Sequence, residues 1–312
     1  MKKGKSEKVL GLLILAVAIL SACRGGSALG SNLDEQGAKK SVVDDLGRTV
    51  TVPVKITRVI SLAPNLTENI FAVGGGDRLV GVTTFCNYPD HARAIAKIGD
   101  TMSPNMETIV ALRPEIVFVS TASQIEAFTK TLEQQGIVVF VSNPKSLDDI
   151  YQSLIQLGNL FETRDQAEAL VSNLSGRVSL IGHLTSFVEP RSERKVFPKV
   201  FVQISKEPLF TIGKDSFLTQ VLTSAGAESV TASVETAYPK LSKETAAAMN
   251  PEVIILSESD DNREPNEVFR SSPAVRNGHV ISINADLLSR PGPRLVDALE
   301  QIAEALGRFR NN

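Results

Sequence analysis

From residue 42 onward the chain alternates short, continuous apolar runs with segments that are apolar only at every third or fourth position. Residues 42–54 alternate one by one on either side of Asp45-Leu46-Gly47-Arg48, the pattern of two strands joined by a tight turn. Apolar runs recur at 58–62, 79–83, 116–120 and 137–141, while 67–73, 107–112 and 125–135 carry helical spacing between them. Strands apolar at every position and alternating with helices predict a parallel sheet covered on both faces. Residues 147–183 differ: Ile150, Leu154, Leu157, Ala167, Leu170, Leu174, Val178 and Ile181 keep a helical period with little Gly or Pro. One long helix, or two end to end, is expected there, closed by Pro190 and Pro198. After Pro198 the alternation resumes, with strands at 200–204, 253–256 and 280–283 and helices at 217–225, 246–249 and 295–309. Two α/β lobes joined by a long helix is the economical arrangement.

An internal repeat points the same way. Residues 107–119 read ETIVALRPEIVFV and residues 244–256 read ETAAAMNPEVIIL, with five of thirteen positions identical and no gap. Both copies describe two helical turns, a Pro-Glu turn and a buried strand. Two lobes on one plan leave a cleft between them, where small ligands bind.

Composition narrows the chemistry. The 312 residues contain 33 Lys and Arg against 35 Asp and Glu, no Trp, 3 His and 5% aromatic residues. Near-neutral charge and scarce aromatics argue against nucleic acid as a partner. His91, His183 and His279 lie far apart along the chain, a poor basis for a metal cluster, and no metal or cofactor is expected. Neither a G-x-S-x-G elbow nor a phosphate-binding glycine loop occurs, and Gly74-Gly75-Gly76 lacks the dinucleotide fingerprint, so no enzyme is expected.

The charge is unevenly placed. Lys2, Lys3, Lys5 and Lys8 open the chain against Glu7 alone, so the remainder is more acidic than the formal −2. Twelve uncharged residues, 9–20, follow, then Leu20-Ser21-Ala22-Cys23. A basic start, a short apolar stretch and small residues at its end describe an export signal, too short for a spanning helix of about 20 apolar residues. The ending resembles the lipobox of bacterial lipoproteins, in which the cysteine becomes the lipidated first residue; an ordinary cleaved signal or a short uncleaved anchor would read similarly. With Cys23 acylated, Cys86 has no disulfide partner and is either a buried small residue or a free thiol. The expected organisation is therefore a signal at 1–22, a Gly- and Ser-rich tether at 23–41, a first lobe at 42–146, a bridging helix at 147–190 and a second lobe at 191–312.

The run 58–90 (RVISLAPNLTENIFAVGGGDRLVGVTTFCNYPD), with 104–120 (PNMETIVALRPEIVFVS), 207–230 (EPLFTIGKDSFLTQVLTSAGAESV) and 238–256 (YPKLSKETAAAMNPEVIIL), resembles substrate-binding proteins of cobalamin and iron–siderophore importers, most nearly the cobalamin branch. The resemblance implies an α/β fold of two Rossmann-like lobes with parallel sheets joined by a long bridging helix. It also implies a ligand held between the lobes, delivery to an ATP-binding-cassette permease with its ATPase, an extracytoplasmic location on the periplasmic side or the outer face of the cell membrane, and a monomer. One glutamate per lobe docks on the permease in that family, and the matching positions are Glu107 and Glu244, the first residues of the two repeats. Acidic residues in a first helical turn are also common without any partner, because the helix dipole favours them.

Loops after the C-terminal strand ends line the cleft in sheets of this kind. They contribute Phe85, Cys86, Asn87 and Tyr88, then Thr101 and Met102, Ser120, Ile204, Tyr238, and residues 286–294. The resemblance places Phe85 and Tyr238 against a corrin, and makes Thr101 and Ser120 stand where that branch often has Trp. It makes Asp286 an acceptor for amide side chains of the ligand. Arg290 and Arg294 would pair with an anionic group or cap the last helix. A haem or ferric-siderophore receptor on the same scaffold is the alternative, with Tyr88 or Tyr238 as a haem ligand.

Overall fold

A computed structural model of the chain describes residues 38–120, 125–186 and 197–311. The expected signal, most of the tether and Cys23 fall outside them. Strands β1 (Lys39–Val43) and β2 (Thr49–Pro53) pair antiparallel around a turn in which Gly47 takes φ +76°. Asp44, 4% exposed, holds that turn: Oδ1 accepts from the amides of Leu46 and Arg48, and Oδ2 from Arg48 Nε and the Val141 amide. The strand thus begins at Lys39, inside the stretch expected to be tether.

The first lobe is built on a four-stranded parallel sheet in the order β4-β3-β5-β6, from β3 (Val59–Ser61), β4 (Leu79–Val82), β5 (Ile116–Ser120) and β6 (Val138–Ser142). Alternate residues of each strand enter different cores. Ile116 and Phe118 pack with helix α1 (Pro64–Ala72), whereas Val117 and Val119 pack with helix α2 (Met106–Ala111). Helix α3 (Ile125–Gln134) places Leu132 in this second core. A large apolar side chain fully buried this way stabilises the fold by about 1.5–3 kcal/mol, which is why the strands tolerate apolar residues at every position.

The second lobe repeats the plan. Its sheet runs β11-β10-β7-β8, from β7 (Lys199–Ser205), β8 (Phe210–Thr211), β10 (Val253–Glu258) and β11 (Val280–Asn284), with β9 (Glu228–Ser229) also pairing β7. All pairings are parallel except that of β7 with β8. The repeated segments do the same structural work in both lobes. Asn105 and Ser242 cap the helices by accepting from Thr108 and Thr245 amides at 2.9 and 3.0 Å. Arg113 and Asn250 both take left-handed backbone, φ 47° and 43°, just before the repeated proline. The repeated glutamates then stitch the lobe's first strand: Glu115 Oε2 accepts from the amides of Thr57 and Arg58, and Glu252 Oε2 from that of Lys199.

Residues 147–186 form two helices, α4 (Leu147–Leu160) and α5 (Arg164–Ser186), broken at Phe161–Thr163, where Glu162 takes φ 59°. The Leu147 amide donates to Gln220 of helix α6 (Phe217–Ser224) in the second lobe, while Lys40 Nζ reaches the Asn159 carbonyl from the first. Gln166, early in α5, donates to Ala72 of the first lobe. Further along, Arg177 pairs with Asp297 and Glu300 of helix α10 (Leu295–Asn311) in the second, after the short helices α7 (Lys243–Ala248), α8 (Pro273–Arg276) and α9 (Ala285–Leu288). Both helices therefore reach both lobes. At about 1.5 Å per residue the 23 residues of α5 span about 35 Å.

Candidate functional site

Helix α1 follows β3 directly, with Pro64 in its first turn. Asn65, Glu68 and Asn69, spaced i, i+3 and i+4, share one face of it. They are polar, yet only 7%, 3% and 1% exposed. The C-terminal lobe covers them with the loop that carries α9 and residues 289–294. Arg290 Nη1 and Arg294 Nη1 both approach Glu68 Oε1, at 2.7 and 3.0 Å. Asn69 Nδ2 faces the Pro291 carbonyl at 3.4 Å. Gly292 lies so close that a Cβ there would stand 2.5 Å from Asn69 Oδ1, which explains the glycine.

The network continues outward. Arg290 Nη2 pairs with Asp286 Oδ1 at 2.6 Å, and Asn87 bridges the two, donating to Asp286 Oδ2 and accepting from Arg290 Nη1, each at 2.8 Å. Arg294 lies over the Tyr88 ring, its guanidinium carbon 4.0 Å from the centroid. Burial pushes the Glu68 carboxyl above the ordinary range, although Arg290 and Arg294 both draw it down. Among the described residues Asn65 Nδ2, Glu68 Oε2 and Asn69 Oδ1 find no hydrogen-bond partner.

The structure therefore brings together Tyr88, Asp286 and Arg290 of the expected site residues, with Phe85 joined through its carbonyl, 3.5 Å from Arg290 Nη2. Arg290, expected to face ligand or cap a helix, is 8% exposed and spends its donors on protein acceptors. Asp286 likewise has both oxygens engaged. Phe85 and Tyr88 remain 58% and 47% exposed on either side of Asn87, large apolar faces beside a buried polar network. Beneath them Cys86 is buried, its sulfur 3.1 Å from the hydroxyls of both Thr67 and Thr83. Thr101 and Tyr238 stand outside the network. Thr101 lies in a turn where Asp100 accepts from the Met102 and Ser103 amides. Tyr238 lies in a loop whose Ala237 carbonyl accepts from Gly213, and burial raises its phenol, with Ser216 in hydrogen-bond reach.

Glu68 and Asn69 escaped sequence reasoning. The signal was present: three polar residues at helical spacing on a segment whose neighbours Leu66, Ile70 and Val73 are apolar. Glu107 and Glu244 are exposed in the first turns of α2 and α7. Glu244's own amide and Ser242 hold its carboxyl below the ordinary range. A surface depression of about 1080 Å³ lies elsewhere, between the β1–β2 turn and α4, lined by Asp45, Leu46, Lys145 and Tyr151 among others. It is open to solvent, and its lining takes in Asn143, directly after the end of β6, but none of Phe85, Tyr88, Asp286 and Arg290.

Comparison with known proteins agrees with this architecture. The sequence pattern of the periplasmic binding protein family matches residues 59–287. An ABC transporter substrate-binding lipoprotein of Bacillus subtilis, itself uncharacterized, is 27% identical over 317 residues, 97% of each chain. A vitamin B12-binding protein of Pectobacterium atrosepticum is 30% identical over 254 residues, 81% of this chain and 89% of that one. The crystal structure of the periplasmic vitamin B12 binding protein of Vibrio cholerae superposes with a TM-score of 0.70 at 26% identity, covering 82% of this chain and 99% of that one.

Proposed function

The chain belongs to the periplasmic binding protein family, the substrate-binding proteins of ABC importers, and from that premise we propose that it captures a cobalamin-like corrinoid between its lobes. One observation carries the reading: Phe85 and Tyr88 present exposed aromatic faces on either side of Asn87, where the two lobes meet at a polar seam. A corrin is a broad apolar ring fringed with amides, and such a ligand needs both surfaces at once. Aromatic side chains supply area, and Asp286, its side chain 34% exposed, keeps acceptor capacity for amides at the rim while Arg290 holds it in place. Thr101 and Tyr238 would line the same mouth from their own loops. The similarity to vitamin B12-binding proteins supports this choice. Haem is the competing ligand, with Tyr88 or Tyr238 as its iron ligand.

In this reading Glu107 and Glu244, one on each lobe, dock on the permease, and Cys23 carries the lipid that holds the protein outside the cytoplasm. At about 0.8 kcal/mol per buried CH₂, two or more acyl chains make that anchor stable. The deciding experiment is calorimetric titration of the full chain in detergent with cyanocobalamin, cobinamide, haem and a ferric siderophore. Saturable heat with a corrinoid is expected. Heat only with haem or the siderophore overturns the corrinoid reading.

A further inference from the structure

Glu68 has an arrangement that burial alone would not produce. Two guanidiniums repel one another at short range, yet Arg290 and Arg294 both stand within 3.0 Å of the same Glu68 oxygen. An anion between them offsets that repulsion, and Glu68 supplies it from the opposite lobe. Each arginine has a second task. Arg290 grips Asp286 and Asn87, and Arg294 covers Tyr88. Along the same helix face, Asn69 and Gly292 come into direct contact. The groups bordering the seam are thus held at one or two removes by a single carboxylate that is itself 3% exposed.

We propose that Glu68 is the positioning residue of the inter-lobe site: it draws Arg290 and Arg294 onto one oxygen, holds the 286–294 loop against the first lobe, and so fixes Asp286, Asn87 and Tyr88. It does this without meeting the ligand. The inference deepens the corrinoid reading and rests on it only for the second of its two readouts.

The first readout needs no ligand. Amide hydrogen exchange is measured on the full chain in detergent for the wild type, Glu68→Gln, Arg294→Gln and the double variant. In Glu68→Gln, protection of 85–88 and 286–294 falls at least tenfold, while the central strands at 116–120 and 253–256 are unchanged. Arg294→Gln loosens 85–88, and the double variant is no worse than Glu68→Gln alone, because both act through one contact. Unchanged loops in Glu68→Gln overturn the proposal, as does loosening spread equally over loops and strands. If Glu68→Gln fails to fold, Arg294→Gln decides, and unaltered protection at 85–88 counts against the proposal. The second readout is cyanocobalamin dissociation, expected to be at least tenfold faster in Glu68→Gln; an unchanged rate overturns the link from seam to ligand. A wild type that binds no corrinoid defeats the ligand reading and leaves the exchange result standing.

Discussion

Asp44 and Phe85 mark the two extremes of what single side chains do in this molecule. Asp44 is buried with four hydrogen bonds converging on it, two of them charge-assisted by Arg48 or reaching across to β6. Replacing it with alanine leaves amide donors unsatisfied, and a loss of about 2–4 kcal/mol is expected from the cost of orphaned buried groups; urea unfolding measures it. Phe85 and Tyr88 are exposed, so truncation removes little packing. Phe85→Ala and Tyr88→Ala should each weaken corrinoid binding by about tenfold, corresponding to about 1.4 kcal/mol, with no fall in melting temperature. A melting shift without an affinity change would return both residues to ordinary packing. Their exposure could not be read from the sequence, where an aromatic in a loop and one in a core look alike. Glu68 was harder still. Its partners Arg290 and Arg294 lie 222 and 226 residues away, and no local pattern encodes so distant a pairing.

At the scale of elements, Arg177 is the clamp between α5 and α10. Its guanidinium reaches both oxygens of Glu300, at 2.8 and 2.6 Å, and Asp297 at 2.6 Å. The pairing holds the Glu300 carboxyl below its ordinary 4.5. A depressed carboxylate contributes stability that is present above the unfolded value and lost as pH falls through the folded one. Wild-type stability should therefore fall below about pH 4.5, and Arg177→Ala should remove that part of the slope. Because the carboxylates are 43% exposed, solvent screening limits the effect at neutral pH to about 1 kcal/mol. Urea unfolding of both proteins at pH 7 and pH 3 checks it, and an identical difference at the two pH values would refute it. Strands with apolar runs were legible because both faces of the sheets are covered. Strand β5 was placed at its observed limits, 116–120. The break at Glu162 was not legible, since a left-handed residue is usually announced by Gly and here falls within Phe161-Glu162-Thr163. Strands β8 and β9, two residues each, are too short to carry any period.

The whole molecule presents Glu107 and Glu244 at corresponding places on its two lobes, each in the first turn of a six-residue capped helix. If both dock on the permease, the variant Glu107→Arg/Glu244→Arg should abolish uptake in cells while calorimetry finds corrinoid affinity unchanged. Transport by the double variant would sink that assignment. Cys23→Ala should move the protein from the membrane fraction to the soluble one. The repeat was legible as five identities, and in the structure two of them have matching work: Thr108 and Thr245 donate to the helix caps, and Glu115 and Glu252 stitch the strand starts. What the repeat hid is that the two halves are no longer autonomous. A single apolar core takes in Phe118 and Phe140 from the first lobe, Leu154 and Phe161 from the helices between, and Val202, Ile255 and Leu299 from the second. Duplicated halves that share one interior must melt together. Heating should give one calorimetric transition whose van't Hoff and measured enthalpies agree, and a fragment ending at residue 146 should come out of the cell as aggregate.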